Sequence, residues 1–264
     1  DKFIYLLGCS YPAIIRLNMD SLEMEYIEEC ISYIEKRIEE NTEGYFICGK
    51  VYDDIAWISC GCSNLMIKFH LTKQSFEYYT LPVNIFGFGA FIYDGTSFWI
   101  SEWGKGFEKI MYWNPQKDEI DSIHVFDNEK DRWCPIHSIV DIGDRIILFP
   151  MVNIPIYEIE KKEKSVSLSN LNNTTKNIVE YVNRTILATV KIETFIRYIS
   201  GDFYWHEYDF KRNTYIRYEV KLSKNEYYVF QQYTKKLIES HEILDESKLL
   251  LPNYLEYDFF KREL

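Results

Sequence analysis

The chain has 264 residues, of which 47% are hydrophobic and 17% aromatic, so it can bury a sizeable core and its composition excludes intrinsic disorder. Its net charge of -11 and pI near 5.1 argue against binding to nucleic acid or anionic membranes, because both need clustered Lys and Arg. No run approaches the roughly 20 apolar residues of a membrane span, and the chain does not begin like a secretion signal. These features predict a cytoplasmic protein.

A unit of three short strands recurs five times along the chain. Each copy has an apolar strand, a polar loop, an apolar strand that ends in a polar turn, and a third alternating strand. In chain order the copies occupy 3–7, 13–18 and 22–27; 55–58, 65–70 and 76–81; 98–100, 109–114 and 120–125; 145–149, 156–160 and 166–171; and 195–199, 203–209 and 215–220. The aromatic excess suits pleated, half-buried strands better than helices.

The spacing of these copies is typical of propeller blades. Equivalent positions recur 42 to 52 residues apart, at Tyr5, Trp57, Trp99, Ile147 and Ile196. A four-stranded blade takes about 40 to 50 residues. The remaining strand of each blade precedes the other three and is expected at 45–48, 91–93, 138–140 and 185–188, usually before a tight turn such as Asp94-Gly95. The sequence therefore predicts an all-β fold, a β-propeller of about five four-stranded blades. The alternative is a fragment of a six- to seven-bladed propeller, or an irregular one.

The first copy lacks a leading strand, and the chain holds two stretches without the β pattern. The segment 226–233 is a candidate for the missing strand, because it would close the first blade from the C-terminus. Helical spacing predicts a short helix within 28–40 and short helices after residue 233. The predicted domains are a propeller over 1–233 and a helical extension over 234–264 that packs on it.

One repeat carries a resemblance to a known class of protein. The stretch from Asp144 to Pro150, followed by 156–160 and a Lys-rich turn, resembles the kelch-like propellers found as poorly characterised proteins of Firmicutes. The resemblance covers about residues 1–223. It implies a bacterial propeller and little about activity, because propellers serve as scaffolds, lyases, hydrolases and lectins alike.

A propeller brings the loops that enter the first strands to the same face as the loops between the second and third strands. We expect ligands on this face, because loops on a rigid ring usually carry function. Two loops stand out, 102–106 and 127–137, since they join indoles to cations and an imidazole. The predicted ligand-binding residues are Tyr11, Phe88, Trp103, Lys105, Arg132, Trp133 and His137.

The sequence favours a non-enzymatic binding or scaffolding propeller that presents an aromatic-rich face to a peptide, protein or glycan-like ligand. The alternative is a lyase or hydrolase at the channel mouth, acting through His137 with Arg132 or Lys105. Cys134 and His137 are also a candidate nucleophile and base, although their spacing does not ensure the geometry that such a pair needs. No cofactor is predicted, and the oligomeric state is left open.

The six cysteines are too sparse for a disulfide framework. Cys60 and Cys62 would share one face of a strand, with Cys48 across a hairpin, so a three-thiolate metal cluster is conceivable. Core thiols are the favoured interpretation, because no paired Cys-x-x-Cys or fitting His completes a zinc site. No metal site is therefore predicted.

Overall fold

The computed structural model describes residues 2–9, 11–36, 45–61, 63–83, 87–103, 108–125, 136–150, 155–171, 186–200, 204–219 and 225. These residues contain nineteen β-strands and one short α-helix, α1 (Ile31–Glu35). Within them, no helix has both the length and the hydropathy that crossing a bilayer requires.

The strands form five antiparallel sheets, and the chain divides into two compact units. The first unit, Asp1–Pro150 with Ile156–Ser169, holds four sheets. Their strands are β1 (Phe3–Leu7), β2 (Ile14–Asn18) and β3 (Met24–Ile27); β4 (Phe46–Tyr52), β5 (Ile55–Cys60), β6 (Leu65–His70) and β7 (Ser75–Thr80); β8 (Gly87–Tyr93), β9 (Phe98–Trp103), β10 (Lys109–Asn114) and β11 (Glu119–His124); and β12 (Ile136–Asp141), β13 (Arg145–Pro150), β14 (Tyr157–Glu160) and β15 (Ser165–Leu168). The second unit, Met151–Pro155 with Asn170–Leu264, holds β16 (Ile186–Ile192), β17 (Phe195–Ser200), β18 (Tyr204–Asp209) and β19 (Thr214–Glu219).

The five sheets are the blades of a β-propeller, so the predicted fold class is confirmed. Four blades have four strands, and the described part of the first blade has three. The candidate for its fourth strand, 226–233, and the extension 234–264 lie outside the described residues, so both remain predictions. The helix predicted within 28–40 is confirmed by α1, where Ile31 and Ile34 are buried.

Neighbouring blades of the first unit pack face to face through apolar side chains. The second blade packs on the first through a cluster that includes Ile14, Ile27, Ile58 and Phe69. A second cluster joins the second and third blades, and its members include Trp57, Met66, Phe91, Phe98, Ile100 and Trp113. Alternate residues of each strand therefore pack toward opposite neighbours, as the pleat requires.

The turns between first and second strands are tight, as the sequence predicts. Asp53, Gly95, Gly143 and Glu193 all have positive φ, between 52° and 102°. Asp94 fixes one of these turns, because its Oδ1 accepts from the N–H groups of Thr96 and Ser97 at 2.9 Å each. Such Asx turns hold a hairpin in a single register.

A bulge near the start of each first strand breaks its pairing with the second strand. In the second blade the register shifts between Phe46 and Cys48. The buried hydroxyl of Ser59 accepts from the Cys48 N–H at 3.1 Å and lies 3.3 Å from the Gly89 carbonyl oxygen of the next blade. The Ser59 side chain thus bonds a backbone N–H group of the bulge and links two blades.

We expect Ser59→Ala to lower the free energy of unfolding by about 1–3 kcal/mol, because it leaves buried backbone groups without their partner. Urea unfolding measures the loss. Ser75→Ala, an exposed position on β7, is the matched control and should change stability by no more than about 0.5 kcal/mol. If both variants lose the same free energy of unfolding, the Ser59 hydrogen bonds between the blades do not contribute to stability.

Candidate functional site

The first strands of the blades begin at the same end at which the second strands finish. In the antiparallel ladders, Phe46 lies opposite Cys60, Gly87 opposite Trp103 and Ile136 opposite Pro150. We call this end of the first unit the loop face. It is the face on which the sequence places the candidate site.

Backbone and amide hydrogen bonds hold the loop face together. The Tyr45 N–H donates to the Cys9 carbonyl at 2.6 Å, and the Gly61 N–H donates to the Tyr45 carbonyl at 3.2 Å. The Asn64 side-chain amide donates to the Leu81 carbonyl at 2.7 Å. Asn64 therefore holds the backbone just after the end of β7.

Tyr11 is presented to solvent by a tight loop between β1 and β2. A Cβ atom at Gly8 would lie 2.2 Å from the Tyr11 carbonyl oxygen, so only glycine fits there. The loop is closed by the Gly8 N–H, which donates to the Ala13 carbonyl at 3.1 Å. The Tyr11 ring packs edge to face on Tyr26 of β3, with 5.9 Å between centroids. Both rings are about half exposed, at 51% and 49%.

His137 lies on the first strand β12, near the loop face, and is half-buried. Burial lowers the pKa of His137, and the positive charge of Lys50 on β4 lowers it further. The imidazole is therefore neutral near pH 7. The first strand β8 contacts both β4, which carries Lys50, and β12, which carries His137.

The face of β4 that carries Lys50 also carries Cys48 and Tyr52, because alternate residues of a strand share a face. Burial raises the pKa of the Cys48 thiol, which therefore stays protonated. Burial also raises the pKa of Tyr52 to about 12, and its hydroxyl accepts from the Tyr93 N–H at 2.8 Å. Near neutral pH this face of β4 thus carries a cation between two neutral polar groups.

Glu102 lies on β9 at the loop face, opposite Phe88 in the ladder. Burial raises the pKa of Glu102, and the positive charge of Lys109 opposes that rise. The ring of Phe88 is fully buried in the cluster between the second and third blades. Phe88 packs the core here, and its role toward a ligand stays a prediction.

The structure brings Tyr11, Phe88 and His137 of the predicted site to the loop face. Trp103 is the last residue of β9 and lies opposite Gly87 at that face. Lys105, Arg132 and Trp133 lie outside the described residues, so the catalytic hypothesis with His137 also stays a prediction. Over the residues that the structure describes, no three His, Cys, Asp or Glu side chains are grouped as a metal site.

Two residues of this face, Glu102 and Tyr26, were missed from sequence, and so was Lys50, which lies toward the other end of β4 opposite Trp57. Lys50 and Glu102 lie just beyond the predicted strands 45–48 and 98–100. The sequence does not show which strands of other blades they approach. Tyr26 was assigned to a strand without a role, although its place at the end of an edge strand was a usable signal. Cys30 and Cys60 are buried, consistent with core thiols, and Cys62 lies outside the described residues.

Comparisons with known proteins show the fold of the chain. No family model matches it and no curated protein sequence matches it, so the kelch-like resemblance stays a prediction. An extracellular domain of a one-component system from B. thetaiotaomicron is similar, with a TM-score of 0.54 and 11% identity over 84% of this chain and 30% of that chain. A computationally designed protein, Ika8, has a TM-score of 0.50 and 6% identity over 79% of this chain and 56% of that chain. A chain of the nidogen–laminin complex has a TM-score of 0.52 and 8% identity over 83% of this chain and 76% of that chain.

A chain of the mitotic checkpoint complex is also similar, with a TM-score of 0.52 and 9% identity over 81% of this chain and 59% of that chain. This chain thus spans less than two thirds of the length of the first two structures above. Identities this low are informative about the fold alone. The fold and its loop face define the molecule as a β-propeller.

Proposed function

We propose that this β-propeller is a non-enzymatic binding scaffold whose loop face holds a protein or peptide partner. The observation that carries the proposal is the exposed pair formed by Tyr11, on a loop fixed by Gly8, and Tyr26 of β3. Tyrosine supplies a large contact area and a polar hydroxyl at a low cost in conformational entropy, and such rings are enriched at interfaces. A preformed loop lowers the ordering cost of binding further.

The electrostatics of the described part of the face suit a polar peptide. Glu102 offers a carboxyl and His137 a neutral imidazole that both donates and accepts hydrogen bonds. A few convergent polar groups beside aromatic rings are the usual composition of a binding surface. Two of the similar structures come from complexes, nidogen with laminin and the mitotic checkpoint assembly, which supports a protein partner. A glycan ligand is the alternative within the same class.

A panned library of random peptides and a glycan array will identify the ligand class. For the tightest peptide, we expect Tyr11→Ala to weaken the affinity about 30-fold, since aromatic hot spots contribute about 2 kcal/mol. Trp103→Ala and Trp133→Ala should weaken it as well, because both indoles are predicted on this face. Isothermal titration calorimetry measures the affinity, and thermal unfolding checks that each variant is folded.

The control is Phe3→Ala, an aromatic residue 37% exposed at the opposite end of β1 from Tyr11. Its affinity for the peptide should equal that of the unchanged protein. If Tyr11→Ala, Trp103→Ala and Trp133→Ala all keep full affinity, the ligand binds elsewhere and the proposed face is wrong. A glycan that binds while no peptide does would reassign the ligand class.

A further inference from the structure

The outer strands of the first three blades each carry a carboxylate at an equivalent position, opposite the residue two places before the end of the preceding strand. The ladders pair Glu25 with Arg16, Glu77 with Lys68 and Asp121 with Tyr112. In the first two blades the carboxylate and its cross-strand partner form an ion pair. In the third blade a tyrosine replaces the cation, so the row that contains Asp121 supplies no positive charge of its own.

A lysine of the fourth blade supplies that charge. Lys164 lies in the turn between β14 and β15, and its Nζ atom is 4.1 Å from the ring centroid of Trp99 and 4.2 Å from that of Tyr112. These two rings pair across β9 and β10, with 5.4 Å between their centroids. The Tyr112 hydroxyl donates to Asp121 Oδ2 at 2.6 Å, and the charge of Asp121 favours the ammonium. Two ring faces and a nearby carboxylate are the composition of a cation–π binding site.

The turn that carries Lys164 is anchored to the third blade by a different residue. Lys161 Nζ lies 2.8 Å from Asp141 Oδ1 and 3.6 Å from Asp94 Oδ2, and all three side chains are largely buried. Asp94 Oδ2 also accepts from Trp99 Nε1 at 2.7 Å, which fixes the indole. Because the lysine side chain is a flexible methylene stem, rotation of Lys164 alone opens the site while the turn and the indole stay in place.

The site suits a quaternary ammonium better than the primary ammonium of Lys164. Burial lowers the pKa of Lys164, although the charges of Asp94 and Asp121 oppose this, so its charged form is less stable here than in water. A primary ammonium is strongly hydrated and loses much of that hydration on burial. A quaternary ammonium has no N–H groups to desolvate, and aromatic rings attract it as well.

We propose that Trp99, Tyr112 and Asp121 form a binding site for a small molecule with a quaternary ammonium group, which Lys164 occupies in the free protein. The ligand binds when the Lys164 side chain rotates out, so the two compete. Trp99 lies near the start of β9, whereas Trp103 at the end of β9 reaches the loop face. The ammonium site is therefore at the opposite end of the blade and does not depend on the proposed function.

Calorimetric titration of the full chain with choline chloride tests the proposal. Lys164→Asn removes the competing ammonium and suits the backbone, since φ is 55° there and asparagine tolerates this conformation. We expect choline to bind the unchanged chain, and to bind Lys164→Asn about tenfold more tightly, because apparent affinity falls with the fraction of time that a site is closed. Adding Tyr112→Leu to Lys164→Asn should weaken binding about fivefold.

The matched control is Lys162→Asn, in the same turn, where the lysine side chain is 87% exposed. Its affinity for choline should equal that of the unchanged chain. A second control ligand is the neutral isostere of choline in which carbon replaces nitrogen, which should bind at least about tenfold more weakly than choline. Thermal unfolding checks that every variant is folded.

Equal affinities of folded Lys164→Asn and Lys162→Asn would overturn the proposal, because Lys164 would not occupy the site of the ligand. Binding to Lys164→Asn that Tyr112→Leu leaves unaltered would also overturn it, since the ring would not hold the ligand. Equal binding of the neutral isostere would show an apolar cavity instead of a cation site. Binding to Lys164→Asn with none to the unchanged chain would make Lys164 a permanent contact and exclude a ligand.

Discussion

Phe98→Ala is expected to lower the free energy of unfolding by about 3–5 kcal/mol, the usual cost of removing a buried phenylalanine ring. Phe98 is fully buried between the second and third blades. Its ring centroid lies 4.6 Å from that of Trp57 on β5 and 5.5 Å from that of Trp113 on β10. The substitution therefore opens a cavity where two blades meet.

Urea unfolding measures this loss, with Phe3→Ala as the matched control. Phe3 has the same side chain but is 37% exposed, and Arg16 stacks on it with 4.7 Å between Cζ and the ring centroid. Its removal should cost about 1 kcal/mol. If the two variants are equally stable, Phe98 does not join two blades.

Protonation of His206 is expected to destabilise the second unit by about 3 kcal/mol as the pH falls from 6.5 to 4. His206 is 1% exposed on β18 and stacks on Tyr198, with 4.3 Å between ring centroids. Its Nδ1 is hydrogen-bonded to the Tyr215 hydroxyl. Burial, together with the positive charge of Arg217, lowers the pKa of His206 from 6.5 to about 4.

The sign of this effect follows from linkage. Between pH 4 and 6.5 the unfolded chain binds a proton that the folded chain does not, so the contribution is complete above pH 6.5 and is lost as the pH falls through this range. The magnitude follows from about 1.4 kcal/mol per pH unit between the two pKa values.

The variant His206→Gln removes the titrating group and keeps a hydrogen-bonding side chain. We expect its unfolding free energy, from urea titrations at pH 7 and pH 4.5, to fall less with pH than that of the unchanged protein. His124→Gln, at an exposed strand position, should keep the full pH dependence. An identical pH dependence in His206→Gln and the unchanged chain would rule out a buried neutral imidazole.

Much of the blade architecture could be predicted from the sequence, because the repeat fixes it locally. The strands β6 and β10 have the bounds that the alternating pattern predicts. Alternation reports which residues share a face, and tight turns with Asp and Gly report where a hairpin closes. Both signals lie within a few residues of one another, so a single sequence carries them.

The starts of the first strands were predicted less well, since they depend on neighbours in space. Strand β8 begins at Gly87 instead of the predicted Phe91, and a bulge between Phe88 and Phe91 interrupts its pairing. Glycines there resemble a loop in the sequence. His137 was predicted in a loop but lies on β12, where pairing with β13 extends the strand.

The candidate site was predicted only in outline. The common end of the strands follows from the topology, and it places Tyr11 and His137 at one face. The positive charge of Lys50 lowers the pKa of His137 because β4 and β12 both contact β8. No local sequence pattern shows that these strands of different blades are neighbours. Tyr26 meets Tyr11 because Gly8 turns the loop back, and that contact is equally non-local.

The central claim is that successive repeats pack face to face as separate blades. Nuclear Overhauser effects between the ring protons of Trp57, Phe98 and Trp113, in protein labelled only at Phe and Trp, test it most directly. The structure predicts cross-peaks from Trp57 of the second blade to Phe98 and Trp113 of the third, at centroid distances of 4.6 and 6.2 Å. Cross-peaks between Phe98 and Trp113 without any to Trp57 would contradict the propeller, because the third repeat would then be folded without packing on the second.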